Sequence, residues 1–484
     1  MTMDARTRWL ALYVLCLGDL MIVLDGTIVN VALPTIRDDL GFSQASLAWV
    51  VNAYLLTFGG FLLLGGRLGD LYGHRRIFLG GITLFTLASL ACGLSTTQNQ
   101  LVAARAIQGV GGAVVSAVAL SLIMTLFTEP ADRAKAMGVF GFVLSGGGTI
   151  GVLLGGVLTD LLSWHWIFLV NIPVGIAVFI LTRALLPGGT GQRGTGRLDL
   201  GGAILITSSL MLAVYAIVKT DEHGWLAAHT LGLLGLAVAL FVAFLVLESR
   251  IAAPLMPLGI FRNRNVSTAN GMGALMAAGL LALFFFSALY LQQILGYTPL
   301  EVGLAYLPMT ILWGAASLFL SDRLVMRYGI KPPLVGGLAL MVIACVLFAR
   351  VPVDGNWAID VLPATLFFAL GAGVGFNPLL LAAMSGVAPT EAGLASGVVN
   401  TAFMMGGALG LAVLASVSAS RTESLLQGGD SDVVALLGGY HAAFIVGAVL
   451  VVVSAILGAL LLRPAEGAPA HGEEPIPEPA ASAG

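Results

Sequence analysis

The sequence predicts an all-α polytopic membrane protein, and three observations predict it. Only 10% of the 484 residues are charged, while 58% are hydrophobic; a soluble domain carries about 25% charged residues. Mean hydropathy is +0.98. The apolar residues also come in continuous runs close to the ~20 residues that a spanning helix needs. They lack the alternation that marks a barrel strand.

Fourteen runs qualify, near 9–33, 47–65, 77–95, 101–127, 136–158, 165–186, 200–219, 227–248, 266–291, 300–320, 333–350, 359–384, 393–418 and 440–462. Arg6 and Arg8 precede the first run. That run exceeds the ~7–15 residues of a signal-peptide core, so it reads as a retained helix. The runs alternate with short polar links. "GAGVGFNP", Gly371 to Pro378, predicts a break in the twelfth helix, because proline removes a helix hydrogen bond.

Basic residues set the orientation. With the N-terminus in the cytoplasm, 17 of the 22 Lys and Arg residues fall inside, and the outer loops hold Arg37, Lys219, Arg350 and Arg421. Arg105 lies within a span. Acidic residues divide almost evenly, 12 inside and 11 outside, so the asymmetry is one of Lys and Arg. Both termini are then cytoplasmic. The tail from Pro464 is rich in Pro, Ala and Glu, a disordered composition. Net charge is -3, which gives no footprint for nucleic acid. Cys16, Cys92 and Cys345 all sit in apolar runs without metal-ligand spacing. Arginine outnumbers lysine 19 to 3, a usage that suggests a GC-rich bacterial gene.

The chain repeats itself. "GRLGDLYGHRR" (Gly66 to Arg76) follows the second run and "DRLVMRYGIKP" (Asp322 to Pro332) follows the tenth. At an offset of 256, Arg67/Arg323, Leu68/Leu324, Tyr72/Tyr328 and Gly73/Gly329 are identical, and Met326 stands opposite Asp70. Each segment follows the second helix of a six-helix set. Residues 1–187 and 266–463 are therefore expected to form two six-helix halves. Residues 188–265 form a linker carrying two further helices, and 464–484 a tail. Parallel six-helix repeats with a midplane site between them are a transporter architecture.

Five stretches carry a family resemblance. "LDGTIVNVALPTI" (Leu24 to Ile36), "GRLGDLYGHRRIF" (Gly66 to Phe78), "RAIQGVGGA" (Arg105 to Ala113), "GVFGFVLSGGGTIGVLLGG" (Gly138 to Gly156) and "WHWIFLVNIPVGI" (Trp164 to Ile176) resemble signatures of the major facilitator superfamily, in its fourteen-helix drug:proton antiporter branch. The resemblance implies the major facilitator fold, with two six-helix bundles and two inserted helices. Leu71 and His74 depart from the usual basic residues of the second stretch. Val152 stands where the fourth, which separates exporters from importers, usually has proline.

The residues that could carry chemistry are few. A carboxylate near the hydrocarbon centre costs several kcal/mol when charged, and ionisable groups there are functional by default. Asp25 is such a group, and the resemblance implies that it takes up and releases the coupling proton. A neutral hydrogen-bond donor between helices is the alternative. Asp19 lies six residues earlier, about 9 Å along the helix and about 120° around it, outside the signature. It is either a second cavity carboxylate favouring cationic substrates or a tie to a neighbouring helix. Arg105 is expected near the outer end of the fourth helix, where its long stem could reach Asp25 or snorkel to headgroups. Pairing would hold the charge on Asp25 and separation would favour its proton, so conformation could control protonation.

Gly66, Asp70, Gly73, Arg75, Arg76 and Arg133, with Asp132, are expected to cluster as a cytoplasmic gate, the role the resemblance implies for the segment. Ordinary positive-inside charge is the alternative. Gly138, Gly147, Gly151, Gly155 and Gly156 should give the fifth helix a small-residue face for close packing. Asn30, Asn52, Tyr54, Gln108, Asn171, Asn270, Gln292, Gln293 and Asn377 are candidate polar groups of a substrate cavity.

The expected function is proton-coupled efflux of hydrophobic drugs or antibiotics, cationic ones included, across a bacterial cytoplasmic membrane by alternating access. Inward proton flow supplies about 2.3 kcal/mol per charge per 100 mV. No phosphate-binding P-loop is present, so ATP is not expected as the direct energy source; the resemblance implies the proton as the coupling ion, and no cofactor is expected. The partners are a small hydrophobic substrate and membrane lipid, not nucleic acid, and the chain is expected to be monomeric. A narrow exporter of one endogenous metabolite or self-made antibiotic is the alternative. A membrane-embedded enzyme is more remote, since His74, His165, His223, His229, His441 and His471 form no close motif.

Overall fold

The computed structural model describes residues 4–463 apart from 44, 128, 187–197, 221–223, 252–253, 386 and 388–391. Within the fifth helix the surroundings of several residues, Arg133 and Gly138 included, are not described, and the tail 464–484 lies outside the described residues. The helices are α1 (Ala5–Leu40), α2 (Trp49–Tyr72), α3 (His74–Gly93), α4 (Gln98–Leu126), α5 (Pro130–Leu161), α6 (Trp166–Leu185), α7 (Leu200–Val218) and α8 (Ala228–Arg250). They continue as α9 (Arg264–Ile294), α10 (Pro299–Tyr328), α11 (Lys331–Phe348), α12 (Trp357–Met384), α13 (Ala392–Gln427) and α14 (Asp432–Leu461). No strand occurs among the described residues. Thirteen of these helices are long and apolar enough to cross a membrane, and α5, at 32 residues, is the fourteenth.

Local chemistry sets the helix ends. Asp4 caps α1 by accepting from the Thr7 N–H, and Thr97 caps α4. Thr298 and Glu301 form a reciprocal capping box at the start of α10, with Pro299 in the first turn. Gly41 (φ 72°) ends α1, and Gly73 (φ 94°) allows the turn from α2 into α3. Several helices outrun their apolar spans, because capped polar turns extend them beyond the lipid-length segment.

In the first half, α1 packs on α5 and α6, and α4 packs on α2 and α3. In the second half, α9 packs on α13 and α14, while α11 packs on α12 and α14. Two long seams join the halves, α5 against α10 and α2 against α13. α7 and α8 pair with each other, and α7 also leans on α2 and α13. The outer face of α8 presents Leu231, Leu236, Val238, Phe241 and Val242 outward, as a lipid-facing helix should.

The expected break in α12 is not there. Its α-helix runs from Leu362 to Met384 straight through Pro378. Proline cannot donate to the carbonyl four residues back. The Ser321 hydroxyl of α10 bonds that carbonyl, on Val374, at 3.3 Å. The Asn377 amide bonds Ser317 in the same helix. The irregularity falls instead on π-type turns at Tyr290–Ile294, Ala316–Ser321 and Trp357–Val361, all in the second half.

Candidate functional site

Asp25 and Arg105 are in contact. The guanidinium Nη1 stands 2.5 Å from Asp25 Oδ2, and the two side chains are 0% and 1% exposed. Four helices supply the surrounding groups. From α4, Gln108 Nε2 donates to Asp25 Oδ1 at 2.7 Å. From α6, Asn171 Nδ2 donates to the same oxygen at 3.1 Å. From α3, the Ser89 hydroxyl accepts from both amides, at 2.8 and 2.9 Å, and donates to the Phe168 carbonyl. Arg105 also donates to Gln108 Oε1 at 2.7 Å and, through Nε, to the Val50 carbonyl at 2.9 Å. Its guanidinium lies over the Tyr54 ring, 4.3 Å from the centroid.

This is a closed polar network around one carboxylate. Three donors serve its two oxygens, and the cation is held from three further sides. An unpaired charge at this depth would be far more costly. Arg105 and Gln108 are one turn apart, so both face α1 from a single helix. Gly109 and Gly111 let α4 approach α2 and α3: a Cβ on Gly109 would strike Thr57 and the Tyr54 carbonyl, and one on Gly111 would strike the Phe85 backbone.

Gly147, Gly151 and Gly155 hold α5 against α1. A Cβ on Gly155 would stand 2.7 Å from the Ile28 carbonyl, and Gly147 faces Leu20 and Val23. Gly156 turns the other way, onto Pro299 and Leu300 of α10, and Gly303 of α10 rests on the Val152 carbonyl. The same end of the bundle is closed a second time, where Gln292 Nε2 of α9 donates to the Val31 carbonyl of α1 at 2.8 Å.

At the other end, the described members of the expected gate cluster make other contacts, and Arg133 lies outside the described side chains. Asp70, 55% exposed, meets His74 at 3.2 Å rather than an arginine. The helix resumes immediately after Gly73, which sets His74 one turn beyond Asp70 and directs Arg75 away, to the Arg183 carbonyl at 2.7 Å. Asp132 pairs with Arg8 at 3.8 Å. Among the described residues, no hydrogen bond or ion pair links Gly66 to Arg76 with the second half.

The cavity candidates separate into groups. Gln108 and Asn171 belong to the Asp25 network. Asp19, 2% exposed, accepts a short hydrogen bond from the Ser116 hydroxyl of α4, a tie between helices. Asn30 and Asn270 donate to carbonyls of their own helices. Gln293 accepts from Tyr440 at 2.7 Å, and Asn377 braces α10. Asn52 is fully buried with both side-chain polar atoms unpartnered, and the Tyr54 hydroxyl is unpartnered as well. Ser89, Ser116 and the Val50 carbonyl escaped sequence reading, since a lone serine or a backbone oxygen leaves no pattern.

Residues 15–411 match the Major Facilitator Superfamily. The chain belongs to that family. It is 41% identical over 466 residues, 94% of this chain and 91% of the relative, to the puromycin resistance protein pur8 of Streptomyces alboniger. It is 40% identical to the cephamycin export protein CmcT of Amycolatopsis lactamdurans, over 87% of each chain. Among solved structures, a bacterial homolog of the human lysosomal transporter Spinster, inward-facing and unoccupied, superimposes with a TM-score of 0.66 at 16% identity, covering 95% of this chain and 98% of that one. That likeness is one of fold. Family and helices together make this a multi-pass membrane protein of a transporter fold.

Proposed function

We propose that the protein exports a hydrophobic antibiotic-like molecule across a bacterial cytoplasmic membrane in exchange for protons. The buried Asp25–Arg105 pair carries this reading, together with relatives named for antibiotic resistance and export. A proton arriving at Asp25 removes the charge that Arg105 neutralises. The guanidinium then needs another partner, and the network across α1, α3, α4 and α6 must rearrange. Proton binding is in this way tied to helix movement, the coupling that antiport by alternating access requires. The Lys and Arg distribution supports cytoplasmic termini. In that orientation, the end closed by α1, α5, α9 and α10 is the outer one, and the free turn at Gly66 to Arg76 belongs to an inward-open state.

Narrow specificity is the second reading. It is favoured by relatives named for single compounds, puromycin and cephamycin. A resistance panel in a susceptible host, with and without the chain, separates broad from narrow export. Coupling is tested by Asp25→Asn in energised vesicles. The variant should reach the membrane and lose proton-driven uptake entirely. Full uptake by that variant would remove Asp25 from the mechanism.

A further inference from the structure

The inserted helices hold a second pair of buried acids. Asp199 caps α7, its Oδ1 accepting from the Gly202 N–H at 2.7 Å. Glu248 lies in the last turn of α8, and its Oε2 accepts from the Met256 N–H at 3.1 Å, in the segment that leads to α9. The two residues are 4% and 3% exposed. Each carboxyl therefore has one oxygen anchored on backbone. The other two, Asp199 Oδ2 and Glu248 Oε1, are buried and find no donor among the described residues. Both press on the same spot, the Cα of Gly202, where a Cβ would strike each of them.

Two carboxylate charges crowded around one buried glycine disfavour each other. One proton between them turns repulsion into a hydrogen bond, and the Glu248 and Asp199 side chains are disposed to make one. Among the described residues, no ion pair joins a cation to either carboxyl, and Asp199 is the charged side chain beside Glu248. Arg250, Arg262 and Arg264 on the adjoining segments are exposed. On α2 and α13, which pack on α7, Arg67, Arg421 and Glu423 are exposed and Asp70 is bound to His74. Arg193 and Arg197 lie outside the described residues.

We propose that Asp199 and Glu248 form a proton-binding site separate from Asp25, in which two carboxyls share one proton. With the proton bound, the start of α7, the end of α8 and the segment entering α9 are clamped together. Losing it places two like charges in contact and loosens the clamp. Proton affinity here belongs to the pair, not to either residue. The site holds its proton whether or not Asp25 couples transport.

Infrared spectroscopy of the full chain in lipid nanodiscs tests this, by reading the carbonyl stretch of protonated carboxyls. An Asp19→Asn background keeps the other buried acid from contributing. At about pH 7, where exposed carboxyls with values near 4 are ionised, one protonated band is expected. Glu248→Gln and Asp199→Asn should each remove it, the double variant should remove no more, and Asp25→Asn should leave it in place. A band that survives either single substitution overturns the proposal. So does a band that appears only when sodium and potassium are withdrawn, which would make this a metal-cation site. Should both variants fail to fold, the background chain decides alone: it must keep a protonated carboxyl at about pH 7, and having none overturns the site.

Discussion

The two halves of the molecule share an architecture and divide the chemistry. Carried across the 256-residue offset, Asp25, Ser89, Arg105 and Gln108 correspond to Leu281, Cys345, Val361 and Ala364. The second half has no charge where the first has a buried ion pair. Its interior is aromatic instead. Phe284 sits 5.5 Å from Phe368, ring centre to ring centre, and 6.0 Å from both Tyr306 and Trp313. Phe286 reaches Tyr440 and Phe444. A repeat freed from handling charge can serve as an apolar, adaptable wall. The π-type turns, which relax helix geometry, also fall in that half.

The comparison breaks most sharply at Arg105. Arg105→Ala should abolish export and destabilise the first half by about 3–5 kcal/mol, because it leaves a buried carboxylate without its cation. Asp25→Asn with Arg105→Ala should cost less than the sum of the single changes, since neither charge is then stranded. Thermal unfolding in one detergent, measured for all four chains, gives the coupling. Strict additivity would mean that the pair does no electrostatic work.

An aromatic change in the second half should behave differently. Phe284→Ala removes a ring packed on three others and should cost about 3 kcal/mol. Export should weaken unevenly across substrates, while its pH profile stays that of the parent chain. A shifted pH profile would mean that the charge network reaches across the seams between halves. Transport assays at several pH values, with two substrates of different shape, check both outcomes.

How much of this was legible depended on which atoms carry the signal. Fourteen helices and the repeat at Gly66 and Asp322 could be read because hydropathy and turn chemistry are written in side chains. The partnership of Asp25 with Arg105 was legible as a possibility of depth and reach, and the helix crossings turned it into a contact. The partners of the gate residues were not legible, since a cluster of charges in sequence does not say which way each helix turn points them: here His74, not an arginine, meets Asp70. Pro378 misled for a related reason. The carbonyl it strands is bonded by Ser321, more than fifty residues earlier, and no local rule contains that partner. Asp199 and Glu248 were counted only as inside charges, because their contact depends on how α7 and α8 cross at Gly202.

Asp19 gives the finest test of the division of charge. It shares α1 with Asp25 and is almost as deeply buried, yet its bond is to Ser116, a neutral hydroxyl. Asn in its place keeps an oxygen that can accept from that hydroxyl and introduces no charge. Asp19→Asn should therefore change stability by less than about 1 kcal/mol, the net worth of one ordinary hydrogen bond. Proton-driven export should continue near the parent rate, since Arg105 and its partners are untouched. The decisive measurement compares a cationic substrate with a neutral one in the same vesicles. Equal retention of both makes Asp19 a tie between α1 and α4. Selective loss of the cation would instead make it a carboxylate that meets substrate, and the first half would then read charge at two places on one helix.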